Sequence, residues 1–166
     1  MEENTLIRLE ALQAVLGEYA EEVARYYKEN LDRDDRYASG KLVQSVESRI
    51  AVNGQAYQVQ LRLEDYWKYV EWDTRPHWPP PSALLKWIEV KPVIPQPGRN
   101  GKLPTPQQLA YLIGRKIARF GTKGSHTLAK TLEEINARYE ERIREALTKD
   151  LGDAVHGWII EYLVRQ

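Results

Sequence analysis

Residues 66 to 90 hold four of the five tryptophans, Trp67, Trp72, Trp78 and Trp87, together with Pro76, Pro79, Pro80 and Pro81. Each proline fixes φ and removes a backbone donor, so neither a long helix nor a central strand can run through the middle of this stretch. The rings supply large apolar area. The segment must therefore act as a stiff connector, here between a β-hairpin and a helix. Two roles for its rings stand open. They pack into the core, as most large apolar side chains do. Or some of them face a partner subunit, where Trp and Tyr are enriched.

The flanking sequence sets what the connector joins. Leu6, Leu9, Leu12, Leu16, Tyr19, Val23 and Tyr26 recur at spacings of three and four and predict a helix over 3–30. A charged loop, Asp32 to Arg36, follows, and Ser39 is placed to cap a short helical turn. Val46, Ser48, Ile50 and Val52 then alternate with Glu47, Arg49 and Ala51, and Tyr57, Val59, Leu61 and Leu63 alternate with polar residues. Asn53-Gly54 between them signals a type I′ hairpin turn, whose central residues need positive φ. Residues 66 to 72 suit either a third strand, an irregular continuation or a helical turn, and the alternation of Trp67 with Tyr69 favours the strand.

Beyond the prolines, a helix over roughly 82–90 buries Leu84, Leu85, Trp87 and Ile88. The stretch 91–104 carries too many prolines and glycines for regular structure. A loop of that length is either a mobile segment or an arm that orders against a neighbour. Thr105-Pro106-Gln107-Gln108 is a helix start with a capping box, and Gly121 is a natural stop. In between, Leu109, Leu112, Ile113, Ile117 and Phe120 form an apolar stripe. The last helix keeps its stripe from Leu128 through Leu132, Ile135, Tyr139, Ile143, Leu147, Leu151, Val155 and Trp158 to Tyr162, with a bend expected where Gly152 and Gly157 weaken it. The fold class is α+β: a small antiparallel sheet, the hairpin with one or more added strands, packed against long first and last helices and shorter middle ones. Residues 1–166 read as one domain with an arm at 91–104.

Composition narrows the function classes. The apolar share of 42% and charged share of 29% are those of a globular protein. No apolar run reaches the length of a membrane span, and Met-Glu-Glu-Asn does not open a signal peptide. Cysteine is absent, which excludes disulfides and cysteine-held zinc and suits a reducing compartment. The net charge of zero hides a polarity. Between Glu89 and Glu133 there are eight basic residues and no acidic one, leaving 16 basic and 24 acidic residues elsewhere. Such a molecule suits head-to-tail assembly or a basic face toward a polyanion.

The sequence offers little for catalysis. His77, His126 and His156 are scattered and lie in no ligand motif. Gly121-Thr122-Lys123-Gly124 has the wrong spacing for a phosphate loop and follows a helix where that motif follows a strand. Glu64, Asp65, Glu71 and Asp73 read as the wet face of a strand, with no nucleophile beside them. Arg115, Lys116, Arg119 and Lys123 cluster on a helix end and loop, where they suit salt-sensitive phosphate contacts.

Several blocks, in order, resemble one known family. Ser39-Gly40-Lys41-Leu42 is similar to its block before the first strand. Tyr66 to Trp72, with Tyr69-Val70-Glu71-Trp72, resembles its Y-x-x-Y-V-E-x-G signature. Arg75-Pro76, Pro79-Pro80 and Lys86-Trp87-Ile88 resemble the block that follows, and Leu112 to Arg119 with Gly121 to Gly124 resembles its closing block. The family is that of tail-component or tail-completion (head–tail neck) proteins of tailed bacteriophages. The likeness covers about residues 39–126, and Asp73 stands where the family has glycine, which raises the question of a positive φ at that turn.

The resemblance implies an α+β virion protein that assembles in the host cytoplasm as a hexameric or dodecameric ring around a DNA channel. It implies neighbouring neck, portal-adaptor or tail proteins as partners, and neither catalysis, cofactor, metal nor membrane. The residues put Trp67, Trp72, Arg75 and Trp78 at the subunit contact, with the 91–104 arm, and Arg115, Lys116, Arg119 and Lys123 toward the DNA. The alternative is a non-catalytic nucleic-acid-binding module that uses the basic helix 106–123 with aromatic stacking.

Overall fold

The helical periods set the longest elements, and the alternating stretch makes a two-stranded sheet. A computed structural model of the chain describes residues 8–34, 40–53, 56–91, 93–97 and 101–165. Its elements, in order, are α1 (Glu10–Arg33), α2 (Lys41–Ser45), β1 (Glu47–Asn53), β2 (Ala56–Arg62), α3 (Trp67–Glu71), α4 (Pro81–Val90), α5 (Pro106–Phe120) and α6 (Thr127–Val164). The helix-rich α+β class holds. The elements group into two compact units, each discontinuous in sequence: Met1–Glu29 with Val46–Arg62 and Leu128–Gln166, and Asn30–Ser45 with Leu63–Thr127.

The first unit is built on an antiparallel pair of helices and the hairpin. Val23, Ile135 and Tyr139 form its buried centre, and Val15, Tyr19, Tyr26, Leu61, Leu132 and Ile143 pack around them. Polar contacts fix the helix register. Arg142 pairs with Glu18, Arg138 meets Glu22 at 3.1 Å, and the Asp150 carboxylate accepts from the backbone N–H groups of Ala11 (3.1 Å) and Leu12 (2.8 Å). The hairpin pairs Ser48 with Leu61, Ile50 with Val59 and Val52 with Tyr57. Asn53 pairs with Ala56, so it ends β1 where the sequence pattern has it open the turn. The turn residues, Gly54 and Gln55, lie outside the described residues, as does the cap expected at Ser39.

Two expectations change. Within 66–72, Trp67–Glu71 form α3, about a turn and a half of helix, in place of a third strand or an irregular continuation, and the antiparallel ladder among the described residues ends at Arg62. α1 begins at Glu10, with Arg8 and Leu9 outside it, and runs past the expected stop at Asn30 to Arg33; residues 3–7 of the expected helix lie outside the described residues. The last helix is continuous in its hydrogen bonding through Gly152 and Gly157, since a residue of weak propensity does not interrupt a helix whose neighbours favour it.

Tyr139 gives this unit a pH dependence. Its hydroxyl donates to Glu22 Oε2 at 2.6 Å. Burial first, then the Glu22 hydrogen bond and charge, push its phenol above the ordinary 10.0, and burial does the same at Tyr19. A raised folded-state pKa means stability that is whole below the unfolded value and is lost as pH climbs through the folded one. Thermal melts are therefore expected to hold steady up to pH ~10 and then fall, with a shallower fall in Tyr139→Phe.

Candidate functional site

In the second unit, α4 and α5 are joined by the 91–104 stretch, which has no regular element among its described residues. Pro81 opens α4 at its first position, and Thr105 caps α5. The Thr105 hydroxyl accepts from the Gln108 N–H (3.2 Å), while the Gln108 side chain accepts from the Thr105 N–H (3.0 Å). Thr105→Ala removes half of this box and is expected to cost about 1 kcal/mol. Urea titration measures that loss, and faster amide exchange at the start of α5 localises it.

The connector meets the loop after α5. Thr74 N–H donates to the Thr122 carbonyl (2.9 Å), Thr122 N–H donates to Thr74 Oγ1 (2.9 Å), and the two hydroxyls lie 2.8 Å apart. Gly124 N–H donates to Asp73 Oδ1 (2.8 Å). Ser125 N–H reaches the Val70 carbonyl and His126 N–H the Glu71 carbonyl, at 2.9 and 3.1 Å. Two of the blocks that carry the family resemblance, some fifty residues apart in sequence, are thus stitched into one backbone junction. The glycines are what allow it. A Cβ on Gly121 would sit 1.9 Å from the Thr74 carbonyl oxygen, and one on Gly124 would sit 2.3 Å from that of Glu71.

Asp73 needs no left-handed backbone. Among the described residues the one non-glycine with positive φ is His126, at 52°, and the Asp73 carboxylate instead occupies the Gly124 N–H. That bond also consumes a donor that a phosphate loop would need. Of the four carboxylates at the connector, Glu71 is buried and Asp73 is held in the junction.

The predicted site residues divide by exposure. Trp72, Trp78 and Trp87 are 52%, 51% and 38% exposed and Trp67 is half-buried, so none of the connector tryptophans is a core ring. Arg75 is exposed as well. Trp67 lies against Trp72 with ring centres 5.0 Å apart, and Trp78 against Tyr111 at 5.7 Å. The geometry therefore splits the three predicted contact tryptophans between two ring pairs, Trp67 with Trp72 and Trp78 with Tyr111 of α5, and places Arg75 in neither.

On α5 the buried side is Ala110 and Gly114, flanked by Leu109, Ile113 and Ile117. Leu84 of α4 and the Trp78 ring close over Gly114. Leu112 and Phe120, expected in the apolar stripe, are 44% and 70% exposed, because small residues let α4 approach on the other side. Arg115, Lys116, Arg119 and Lys123 are all exposed, and Arg119 stands over the Phe120 ring at 5.6 Å. Tyr111 and Leu112 also wall a groove of about 740 Å³, closed by Lys102, Leu103 and Pro104. Sequence periodicity missed this groove, although the apolar residues before the capping box were visible.

No group of side chains suited to a metal ion occurs among the described residues, and no described helix is long and apolar enough to cross a membrane. Compared with protein-family models, curated proteins and solved structures, the chain matches none.

Proposed function

We propose that this chain is a structural subunit of a tailed-bacteriophage head–tail neck, a tail-completion or connector protein that closes into a ring around the DNA channel and joins neighbouring neck or tail proteins. The observation that carries the reading is the junction between residues 70–74 and 121–126. The blocks that resemble the family are far apart in sequence, yet they meet through close glycine contacts. This gives the motif residues a shared structural reason to be what they are. The exposed aromatic connector supports it too, since Trp72, Trp78 and Arg75 offer the residue types of interface anchors. In such a ring Arg115, Lys116, Arg119 and Lys123 face the DNA. Native mass spectrometry tests it, on the chain alone and with the neighbouring neck proteins of the same genome. A closed hexamer or dodecamer is expected. A monomer under every condition overturns the ring.

One observation favours a second reading, a nucleic-acid-binding module. The exposed basic residues of α5 are interleaved with exposed Tyr111 and Phe120, a pattern suited to backbone contacts with base stacking. This reading expects single-stranded DNA affinity by the free subunit that falls steeply with salt, where the neck reading expects only feeble binding.

A further inference from the structure

Among the described residues, the last turns of α6 have no partner within their unit. The register contacts run Glu22 to Arg138, Glu18 to Arg142, and the start of α1 to Asp150. There α1 ends, and Leu151–Val164 continue for about 21 Å at 1.5 Å per residue. None of these residues is buried. Leu151, Val155, Trp158, Ile159 and Tyr162 share one face, and Ile160, Leu163 and Val164 occupy the other. With Leu147, nine large apolar residues along this stretch are at least 37% exposed, far from the singly scattered apolar residues of an ordinary surface. The first face is continuous, while Asp153, His156 and Glu161 interrupt the second. Symmetric pairing of two such helices would cover one face and leave the other in water.

The α5 surface carries an apolar groove, and the charges match. The unit that contains α6 holds 11 basic and 16 acidic residues, and the other unit 13 basic and 8 acidic, so they carry −5 and +5. Head-to-tail contact between copies juxtaposes opposite charges, while like-to-like contact opposes them. We infer that the 151–164 segment of one copy docks on the α5 surface of a second copy, with Trp158 and Tyr162 seated against Leu103, Pro104, Tyr111 and Leu112. The contact is heterologous, the kind that closes into a ring. The inference rests on the neck reading for ring closure and deepens it by naming the junction.

The test uses two full-length variants, one on each side of the junction. The first replaces Trp158, Tyr162 and Leu163 with serine (W158S, Y162S, L163S), and the second is Y111S with L112E. All five positions are exposed, and circular dichroism with thermal melting checks that both variants fold. The unaltered chain is expected as a closed multiple and each variant as a monomer. An equimolar mixture of the two is expected to give a heterodimer and nothing larger, because it holds one intact junction. A benzophenone amino acid in place of Tyr162, in a mixture of isotopically light and heavy chains, is expected to crosslink to residues 103–112 of the other copy. A multiple that survives in either variant overturns the docking while leaving the ring reading standing. So does a mixture without heterodimer, or a crosslink from position 162 to position 162. A monomeric unaltered chain, alone and with its neck partners, overturns both.

Discussion

Gly121→Ala is expected to cost the second unit at least ~3 kcal/mol, enough to populate its unfolded form at ambient temperature. Two penalties act together. Gly121 sits at φ 71°, ψ −163°, a region that only glycine occupies at ease. Its added Cβ would also fall 1.9 Å from the Thr74 carbonyl oxygen and 3.1 Å from the Arg75 carbonyl carbon. Neither neighbour can swing aside, because both are backbone, and Thr74 is tied to Thr122 through main chain and side chain. Relief would require opening the junction itself. Gly124→Ala should act in the same direction, with Cβ 2.3 Å from the Glu71 oxygen and 2.5 Å from the Trp72 carbonyl carbon. Lys123→Ala, exposed between them, is the control and should change stability by less than ~0.5 kcal/mol. Urea unfolding followed by tryptophan fluorescence reports on this unit, which holds four of the five tryptophans. A Gly121→Ala protein within ~1 kcal/mol of the original would show that the junction is not rigid.

Asp150→Ala should destabilise the other unit by about 2–3 kcal/mol. The first N–H groups of a helix have no partner inside it and point along a positive dipole end. Here the carboxylate of a residue near-buried on α6 accepts two of them, from Ala11 and Leu12, and so caps α1 from 138 residues away in sequence. Alanine leaves both donors in a site from which water is largely excluded. Asp150→Asn keeps one acceptor oxygen and loses the charge, so it should retain about half of the stability. Amide exchange offers the direct readout, with the Ala11 and Leu12 amides accelerating far more than those at Val23. If their protection is unchanged in Asp150→Ala, the cap is idle.

The fold and the surface were legible to different degrees. The capping box of Thr105 and Gln108 was readable because every atom of it lies within four residues. The antiparallel hairpin followed from alternation, yet the turn moved by one residue and the pairing by two, because Asn53 pairs in the ladder before the turn begins. Residues 66–72 fitted two periods equally, and α3 formed because its carbonyls at Val70 and Glu71 are satisfied by Ser125 and His126, a contact that no local pattern announces. For the candidate site, the basic cluster on α5 was placed correctly at the surface. Leu112 and Phe120 were not, since the choice of buried face on a short helix fell to Ala110 and Gly114, whose small size admits Leu84 and Trp78.

By itself, then, the sequence determined the α+β class, the long first and last helices, the cap and stop of α5, and the polarity of charge. These rest on spacing, propensity and composition, which act over a few residues or over none in particular. Tertiary structure decided which of the tryptophans stay at the surface, why Gly121 and Gly124 must be glycine, what caps α1, and that α6 outruns its partner after Asp150. Each of those depends on two segments approaching within a van der Waals or hydrogen-bond distance, and chain separations of fifty to a hundred and forty residues leave no trace of such an approach in the local pattern.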